Sequence, residues 1–376
     1  MKKSFWYAVS MLTGTIVGVG MFALPYSFYK AGFFVGLSYL FILFFILLYL
    51  HLMMGEIVLR TNERHRFLGY VGKYLGDKLK NIAAVASIIG LFGGLLAYIL
   101  ISGSFLKMLG FSIFSNIEIN QILFWIVMSI VVFFGVSVVK KSEFILVVFM
   151  VAIVIGILIN GLPYINIENF LHFNLDNIFL PYGIVIYSLV GLSAIPLMRD
   201  FLVGEEKVFK KAIFYGVFIS VVIYLLFVTL VVGVSGDSVS EDAIVGLSGI
   251  LGDKIIFLGA VLGLLAVSTS YVAFAVYIKQ TLILDFNVRE IISSLMVFLI
   301  PIISVIFISI GLTEVVMFLG VVFLGIDLIF LILVYNKAKK DGNRVPEYSL
   351  NIPKEILYLM AVIFMVGIFY ELFYNL

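Results

Sequence analysis

The sequence predicts an all-α membrane protein with eleven transmembrane helices. They form two inverted five-helix repeats plus one extra C-terminal helix, with helices one and six broken. Three observations carry this prediction: too little charge to cover a globule in water, apolar stretches of spanning length, and a glycine- and proline-interrupted string that recurs five spans later.

Of the 376 residues, 63% are hydrophobic and 12% charged, with a mean hydropathy of +1.22. A soluble domain is roughly half apolar and about a quarter charged, so this chain cannot clothe a water-soluble globule of its size. The apolar runs at 39–50 with their flanks, 144–159, 213–234 and 356–370 approach the ~20 residues a spanning helix needs. They lack the alternation of a transmembrane barrel strand. Cysteine is absent, which removes disulfide and thiolate chemistry. The net charge of +2 gives no reason to expect a nucleic-acid partner. Lys2 and Lys3 before an apolar run could open a cleaved signal peptide. The length of that run and the specialised string from Gly14 to Pro25 favour an uncleaved first span.

Apolar stretches between polar breaks place the spans at 5–30, 33–59, 81–109, 121–139, 143–162, 178–198, 212–234, 255–280, 291–310, 314–334 and 355–374. Basic residues test the count. With a cytoplasmic N-terminus, all 24 lysines and arginines fall inside except Lys30, Lys107 and Lys254, which is the bias that sets topology. One miscounted span would ruin the split. The C-terminus is then outside, and the chain is an integral protein of the plasma membrane with lipid as its solvent. The outer loops are acidic, holding Glu168, Asp176, Asp237, Glu241, Asp242 and Asp253. Residues 243–251 read either as a short helix over an outer vestibule or as a plain solvated loop. The domains are a first five-helix repeat over 1–163 and an inverted second repeat over 175–336. A basic cytoplasmic linker over 337–354 and an eleventh helix over 355–376 follow.

The repeat rests on two strings. Span one holds Gly20-Met21-Phe22-Ala23-Leu24-Pro25, and span six holds Gly191-Leu192-Ser193-Ala194-Ile195-Pro196. Five is an odd number of spans, so the second copy runs upside down. Paired Gly/Pro interruptions in inverted repeats point to the binding site of a secondary transporter. Gly14, Gly18 and Gly20 each weaken a helix by about 1 kcal/mol relative to alanine. Pro25 and Pro196 each remove a backbone donor. An opened helix survives in hydrocarbon only where it faces protein or a watery cavity. There the N-terminal end of a half-helix suits a carboxylate, and freed carbonyls suit a cation or an ammonium group. The same glycines could instead serve close helix packing.

The string Gly14-Thr15-Ile16-Val17-Gly18-Val19-Gly20-Met21-Phe22-Ala23-Leu24-Pro25, followed by 26–32, resembles the first span of the amino acid/auxin permease family and its aromatic amino acid permease relatives. These belong to the amino acid–polyamine–organocation superfamily with the leucine-transporter fold. The resemblance extends to 189–196 in span six and 266–270 in span eight. It implies a substrate carboxylate on the amides of Val19 and Gly20, beside Gly18, and an ammonium group at the carbonyls of Thr15 and Ile16. Tyr187, Ser188, Val190 and Gly191 would form the opposite wall, with Tyr98 packed over the bound molecule or simply packing in the bundle. It also implies a sodium site from the carbonyls of Gly14, Val17 and Ala266 and the hydroxyls of Thr269 and Ser270. Positions 266, 269 and 270 share one helix face. Neutral oxygens suit a monovalent hard cation, although Thr269 and Ser270 could bond back to their own helix.

The function expected is secondary active transport by alternating access, with sodium-coupled symport of a neutral amino acid and no cofactor beyond the coupling ion. Some proton-coupled relatives place a lysine within span five; here that interior has none, and Lys140 and Lys141 precede it. His51, Glu56 and Asp327 are the remaining intramembrane ionisable residues and candidates for function. Glu56 reads as a gate or as the partner of a basic loop residue. Asp327 keeps a proton-coupled symporter or exchanger open, and a channel is the rival of another class. No enzyme is expected: His51, His65 and His172 are scattered and no phosphate-cradling motif occurs.

Overall fold

The computed structural model of the chain describes residues 2–110, 117–133, 139–307 and 311–375. The ends of the predicted spans 121–139 and 291–310 fall partly outside these residues, and the side chains of Lys140 and Lys141 lie outside what is described. Apart from one isolated bridge between Gly32 and Phe173, the regular structure is helical.

In chain order the α-helices are α1 Lys3–Ile16, α2 Gly20–Ala31, α3 Phe33–Arg60, α4 Phe67–Leu75, α5 Asp77–Met108, α6 Ile117–Phe133, α7 Val139–Gly161 and α8 Leu180–Leu189. They continue with α9 Ala194–Phe201, α10 Phe209–Ser235, α11 Val245–Leu251, α12 Asp253–Phe286, α13 Glu290–Phe307, α14 Leu312–Phe318, α15 Gly325–Asp341 and α16 Lys354–Tyr370. A π-helical stretch, Leu319–Leu324, joins α14 to α15. Eight helical stretches among the described residues are long and apolar enough to cross a membrane, and the bent pair α1–α2 can form a ninth. Two shorter apolar helical segments lie within α6 and α13.

Helix α3 shows why these sequences take this form. Phe34, Phe41, Phe45 and Tyr49 recur at helical spacing and are exposed. Leu40, Leu43, Leu47, Leu50, His51 and Met54 occupy the buried side. Large apolar side chains left open over several turns are tolerable only against lipid. Inside the bundle, α1 and α2 pack on α10, α2 and α3 on α8, and α5 on α12. The segment 243–251 contains the short helix α11, which packs on α10 and α12.

The final four carbonyls of a helix have no partner within it, and α3 finds all of them one elsewhere. Ile57 O accepts from the Thr61 hydroxyl at 2.8 Å, Val58 O from Arg199 Nη1 at 2.6 Å, Leu59 O from Arg344 Nη1 at 2.7 Å, and Arg60 O from the Arg344 amide at 3.0 Å. Arg344 belongs to the basic linker, which is folded back along α3 as a strap. The anchor is Glu56, fully buried. It accepts from Arg60 Nε at 2.8 Å, Ser349 Oγ at 3.0 Å and the Leu350 amide at 2.7 Å. One residue beyond His51, Leu52 O accepts the Tyr348 hydroxyl at 2.7 Å. Glu56 thus partners a basic residue one turn away and the strap together.

Replacing Glu56 by alanine strands Arg60 and the Leu350 amide together. The expected loss is on the order of 3 kcal/mol, read as a lower unfolding temperature in detergent. Trypsin should cut after Arg344 faster than in the parent protein. Unchanged cleavage there would mean the strap is held by something other than this carboxylate.

Candidate functional site

Helix α1 stops at Ile16, Val17 leaves the helical region with ψ at 76°, and α2 restarts at Gly20, bent by 50° from α1. The Gly18 amide turns back to Ile16 O at 2.9 Å, while the amides of Met21 and Phe22 take Gly18 O at 3.2 Å and Val19 O at 3.0 Å. Among the described residues, the amides of Val19 and Gly20 and the carbonyls of Thr15 and Val17 find no backbone partner. The bare amides sit at the start of α2, where the helix dipole presents about half a positive charge. The bare carbonyls sit at the end of α1, where its sign is negative.

Span six is interrupted in the same way. Helix α8 ends at Leu189, Val190 is extended with ψ at 117°, and α9 begins at Ala194. Ala194 and Ile195 donate to Gly191 O at 3.0 Å and Leu192 O at 3.2 Å, leaving the Leu192 and Ser193 amides without a backbone acceptor. The two breaks touch. A Cβ at Gly20 would stand 2.7 Å from Ser188 Cα, and one at Gly18 would stand 2.7 Å from Ser270 Oγ and 3.2 Å from the Tyr98 hydroxyl oxygen. Glycine therefore serves both the opening of the helix and the close approach of its neighbours.

Tyr224, midway along α10, ties the breaks together. Its hydroxyl lies 2.5 Å from Ile16 O and 2.8 Å from Ser188 O and is shared between them. Ile16 O thus accepts twice already, and Thr15 O is the freer carbonyl. The Thr15 hydroxyl turns back to Met11 O at 2.7 Å.

A narrow cavity, with about 60 Å³ of room for the centres of water molecules, runs from the breaks towards α4. Thr15, Ile16, Gly18, Val19, Gly20, Tyr98, Tyr187 and Val190 line it, as do Leu192, Ser193 and Phe274. Tyr98 meets Phe274 edge-on at 5.6 Å. The Tyr187 hydroxyl is buried without a hydrogen-bond partner. Two residues expected on this wall lie off it. The Ser188 hydroxyl bonds back to Ile184 O at 2.6 Å, and the Gly191 amide donates to His51 Nε2 at 2.9 Å.

At the far end of the cavity, Phe67 and Leu68 of α4, Ser87 of α5, Thr281 of α12 and Asp327 of α15 form the walls. The Ser87 hydroxyl donates to Asp327. Here α4 is tied to α12 by the Phe67 amide on the Tyr277 hydroxyl at 3.1 Å, Arg66 Nε on Gln280 at 2.9 Å, and the Arg66 amide on Asp285 at 3.2 Å. Beyond the breaks on the other side, Phe22 packs against Phe105 and Phe227 with ring centroids 4.8 and 5.8 Å away. All three rings are fully buried.

Beside α1, the Ser270 hydroxyl donates to Gly14 O at 3.1 Å and the Thr269 hydroxyl to Ala266 O at 3.0 Å. Four of the five expected ion ligands are thus gathered in two contacts, one across to α1 and one back within α12. Among the described residues, Val17 O has no backbone partner. No group of three or more His, Cys, Asp or Glu residues fit to hold a metal exists among the described residues. The donor set is neutral oxygen, the kind a monovalent cation accepts.

The sequence reading missed Tyr224, Leu192, Ser193, Phe274 and Ser87. A tyrosine far from both membrane interfaces, where its kind usually sits, was the available signal for Tyr224. Ser193 lies inside the repeated motif itself.

The chain matches the Tryptophan/tyrosine permease family along residues 1–373 and belongs to that family. It is similar to tyrosine-specific transport system 1 of Haemophilus influenzae, with 27% identity over 219 residues. That match covers 57% of this chain and 54% of the relative, so it spans about half of the curated protein's length. Among solved structures, the crystal structure of MhsT in complex with L-phenylalanine is similar with a TM-score of 0.57 and 16% identity. The likeness covers 98% of this chain and 97% of that one, and at such identity it shows the fold alone. The family is thus an aromatic amino acid permease family, which agrees with the aromatic amino acid permease part of the resemblance. The chain is a membrane-embedded member of a permease family and not an enzyme.

Tyr224→Phe should lower stability by about 1–2 kcal/mol, because two carbonyls at the breaks lose their shared donor. Gly20→Ala should cost more, since its Cβ meets backbone at Ser188 rather than a side chain that can swing away. Unfolding of the purified variants in detergent checks the order, and an alanine variant as stable as the parent would refute the close approach.

Proposed function

We propose that the protein is a secondary active transporter that carries an aromatic amino acid across the plasma membrane by alternating access, in symport with sodium. One observation carries the reading: two interrupted helices lie against each other with bare amides and carbonyls facing one cavity, in a chain of the Tryptophan/tyrosine permease family. Counting the two shorter apolar helices as spans gives eleven, and the interruptions then head two five-span repeats of opposite orientation. The N-terminus and the basic strap are cytoplasmic, and the C-terminus is outside. The cavity then extends towards the cytoplasmic side, where α4 closes it, and the Phe22, Phe105 and Phe227 rings close the outer side.

The zwitterionic end of the substrate spans the first break. Its carboxylate takes the Val19 and Gly20 amides at the positive end of α2, and its ammonium group takes Thr15 O at the negative end of α1. Tyr98, Tyr187 and Phe274 give the side chain an aromatic wall, where edge-to-face contact adds about 0.5–1.5 kcal/mol beyond burial. The unpartnered Tyr187 hydroxyl suits a substrate carrying a polar group on its ring. Sodium is held by Gly14, Val17 and Ala266 carbonyls with Thr269 and Ser270 hydroxyls. Bound there, it supplies positive charge between α1 and α12, so that closing span one against α12 depends on the ion.

A second reading has its own observation. Asp327 with Ser87 lines the same cavity, and a carboxylate there supports proton coupling instead.

Uptake of L-tyrosine by reconstituted vesicles separates the two. A sodium gradient should drive accumulation, and Thr269→Ala and Ser270→Ala should each raise the sodium concentration for half-maximal uptake about tenfold, the equivalent of about 1.4 kcal/mol. Accumulation under a pH gradient alone, abolished by Asp327→Asn, would hand the coupling to the proton. Failure to move tyrosine, tryptophan or phenylalanine under either gradient would remove the proposal.

A further inference from the structure

His51 is fully buried in α3, between two partners. Its Nδ1 lies 2.7 Å from Leu47 O one turn earlier, and its Nε2 lies 2.9 Å from the Gly191 amide, 140 residues along the chain. An amide can only donate and a carbonyl can only accept. The network therefore assigns the tautomer: Nε2 is bare and receives the Gly191 N–H, while Nδ1 carries the proton and donates it to Leu47 O.

In an unbroken helix the Gly191 amide would bond to the carbonyl four residues earlier, that of Tyr187. The imidazole takes its place. The next bond, from the Leu192 amide to Ser188 O, is likewise absent, and Ser188 O receives the Tyr224 hydroxyl at 2.8 Å. Side chains from α3 and α10 thus bond groups that two rungs of the helix would otherwise use. The far end of α9 is tied to the same helix, with Arg199 Nη1 on Val58 O at 2.6 Å and on Thr61 O at 2.7 Å. The segment from the break through α9 is thus fastened at Gly191 to α3 and at Arg199 to the C-terminal end of α3. The Leu192 and Ser193 amides stay unpartnered beside the cavity that both residues line.

We propose that His51, as the neutral Nδ1–H tautomer, is a positioning residue that holds the sixth span open by standing in for Tyr187 O, and so keeps the Leu192 and Ser193 amides turned to the substrate. Without the imidazole, the Gly191 amide returns to Tyr187 O, the helix winds through the break, and those amides are withdrawn. The role rests on the proposed transport function, but the hydrogen-bond pattern that performs it can be measured separately.

Three proteins test it: the parent, His51→Leu and His51→Gln. A carboxamide presents a donor and an acceptor across one carbon, as the imidazole does, so glutamine can serve both Leu47 O and the Gly191 amide. In vesicle uptake of L-tyrosine, His51→Leu should raise KM at least tenfold, while His51→Gln stays within about threefold of the parent. A leucine variant with parental KM, or a glutamine variant as impaired as leucine, would overturn the proposal. If the leucine variant does not fold, imidazole 15N shifts of the parent decide. The signal lost in His51→Gln must report a protonated Nδ1 and a bare, hydrogen-bonded Nε2; an Nε2-protonated ring or a neutral-pH imidazolium would sink the idea. A parent that transports no aromatic amino acid while showing the Nδ1–H signature would refute the transport reading and leave the helix-opening contact standing.

Discussion

A main-chain polar group left bare in hydrocarbon costs several kcal/mol, and two helix interruptions expose several of them at once. The rest of the architecture can be understood as the arrangement that makes this tolerable. The breaks are stacked against each other, so that α2 and the end of α8 share one polar region rather than two. They are enclosed by α5, α10 and α12, away from the lipid-facing stripe that α3 turns outward. The remaining bare groups face a cavity that admits water, where their desolvation is only partial.

Polar side chains from unbroken helices complete the compensation, and each does so at long range in sequence. Tyr224 gives its hydroxyl to both breaks, His51 receives an amide from the second, and Ser270 reaches Gly14 in the first. This explains why a membrane core this apolar retains buried histidine, serine and tyrosine hydroxyls. Helix α3 has a double part. It holds the second break through His51 and α9 through the carbonyls that Arg199 caps, and it holds the strap through Glu56 and Leu52 O.

Much of this could be read from the chain because glycine and proline mark helix interruptions through local physics. The string from Gly14 to Gly20 and the string from Gly191 to Pro196 fall where the helices part. Spacing alone put Ala266, Thr269 and Ser270 on one face, and two of the three reach a neighbour in that group or Gly14. Partners distant in sequence were not legible. Nothing near His51 indicates Gly191, and nothing near Tyr224 indicates Ile16 and Ser188. The direction in which Gly191 points was hidden for the same reason, since it depends on an acceptor from another helix. The strap was hidden differently: Arg344, Tyr348 and Ser349 have the composition of a solvated linker, and the orphan carbonyls at the end of α3, Leu52 O and the Glu56 carboxylate make them structural.

The two ends of the cavity are closed by different chemistry, and that difference bears on how the molecule can move. Towards α4 the ties are hydrogen bonds, Arg66 to Gln280 through two nitrogens, the Arg66 amide to Asp285, and the Phe67 amide to Tyr277. Beyond the breaks the closure is three fully buried rings. Polar groups released near α4 can bond to water instead, at a net cost of about 0.5–1.5 kcal/mol for a neutral bond and about 1.5–3 kcal/mol where Arg66 or Asp285 takes part. Separating packed rings exposes apolar surface at about 25 cal/mol per Å² and offers water nothing to bond. Opening the end near α4 would leave polar groups that water can satisfy, whereas opening the ring cluster would not. Because Phe22 belongs to α2, two residues from the Gly20 amide, whatever occupies the first break bears directly on that cluster. A ligand bound more tightly with the rings closed than open can shift the balance between the two states only by that difference in affinity. The short distance from break to ring is what makes such a difference available.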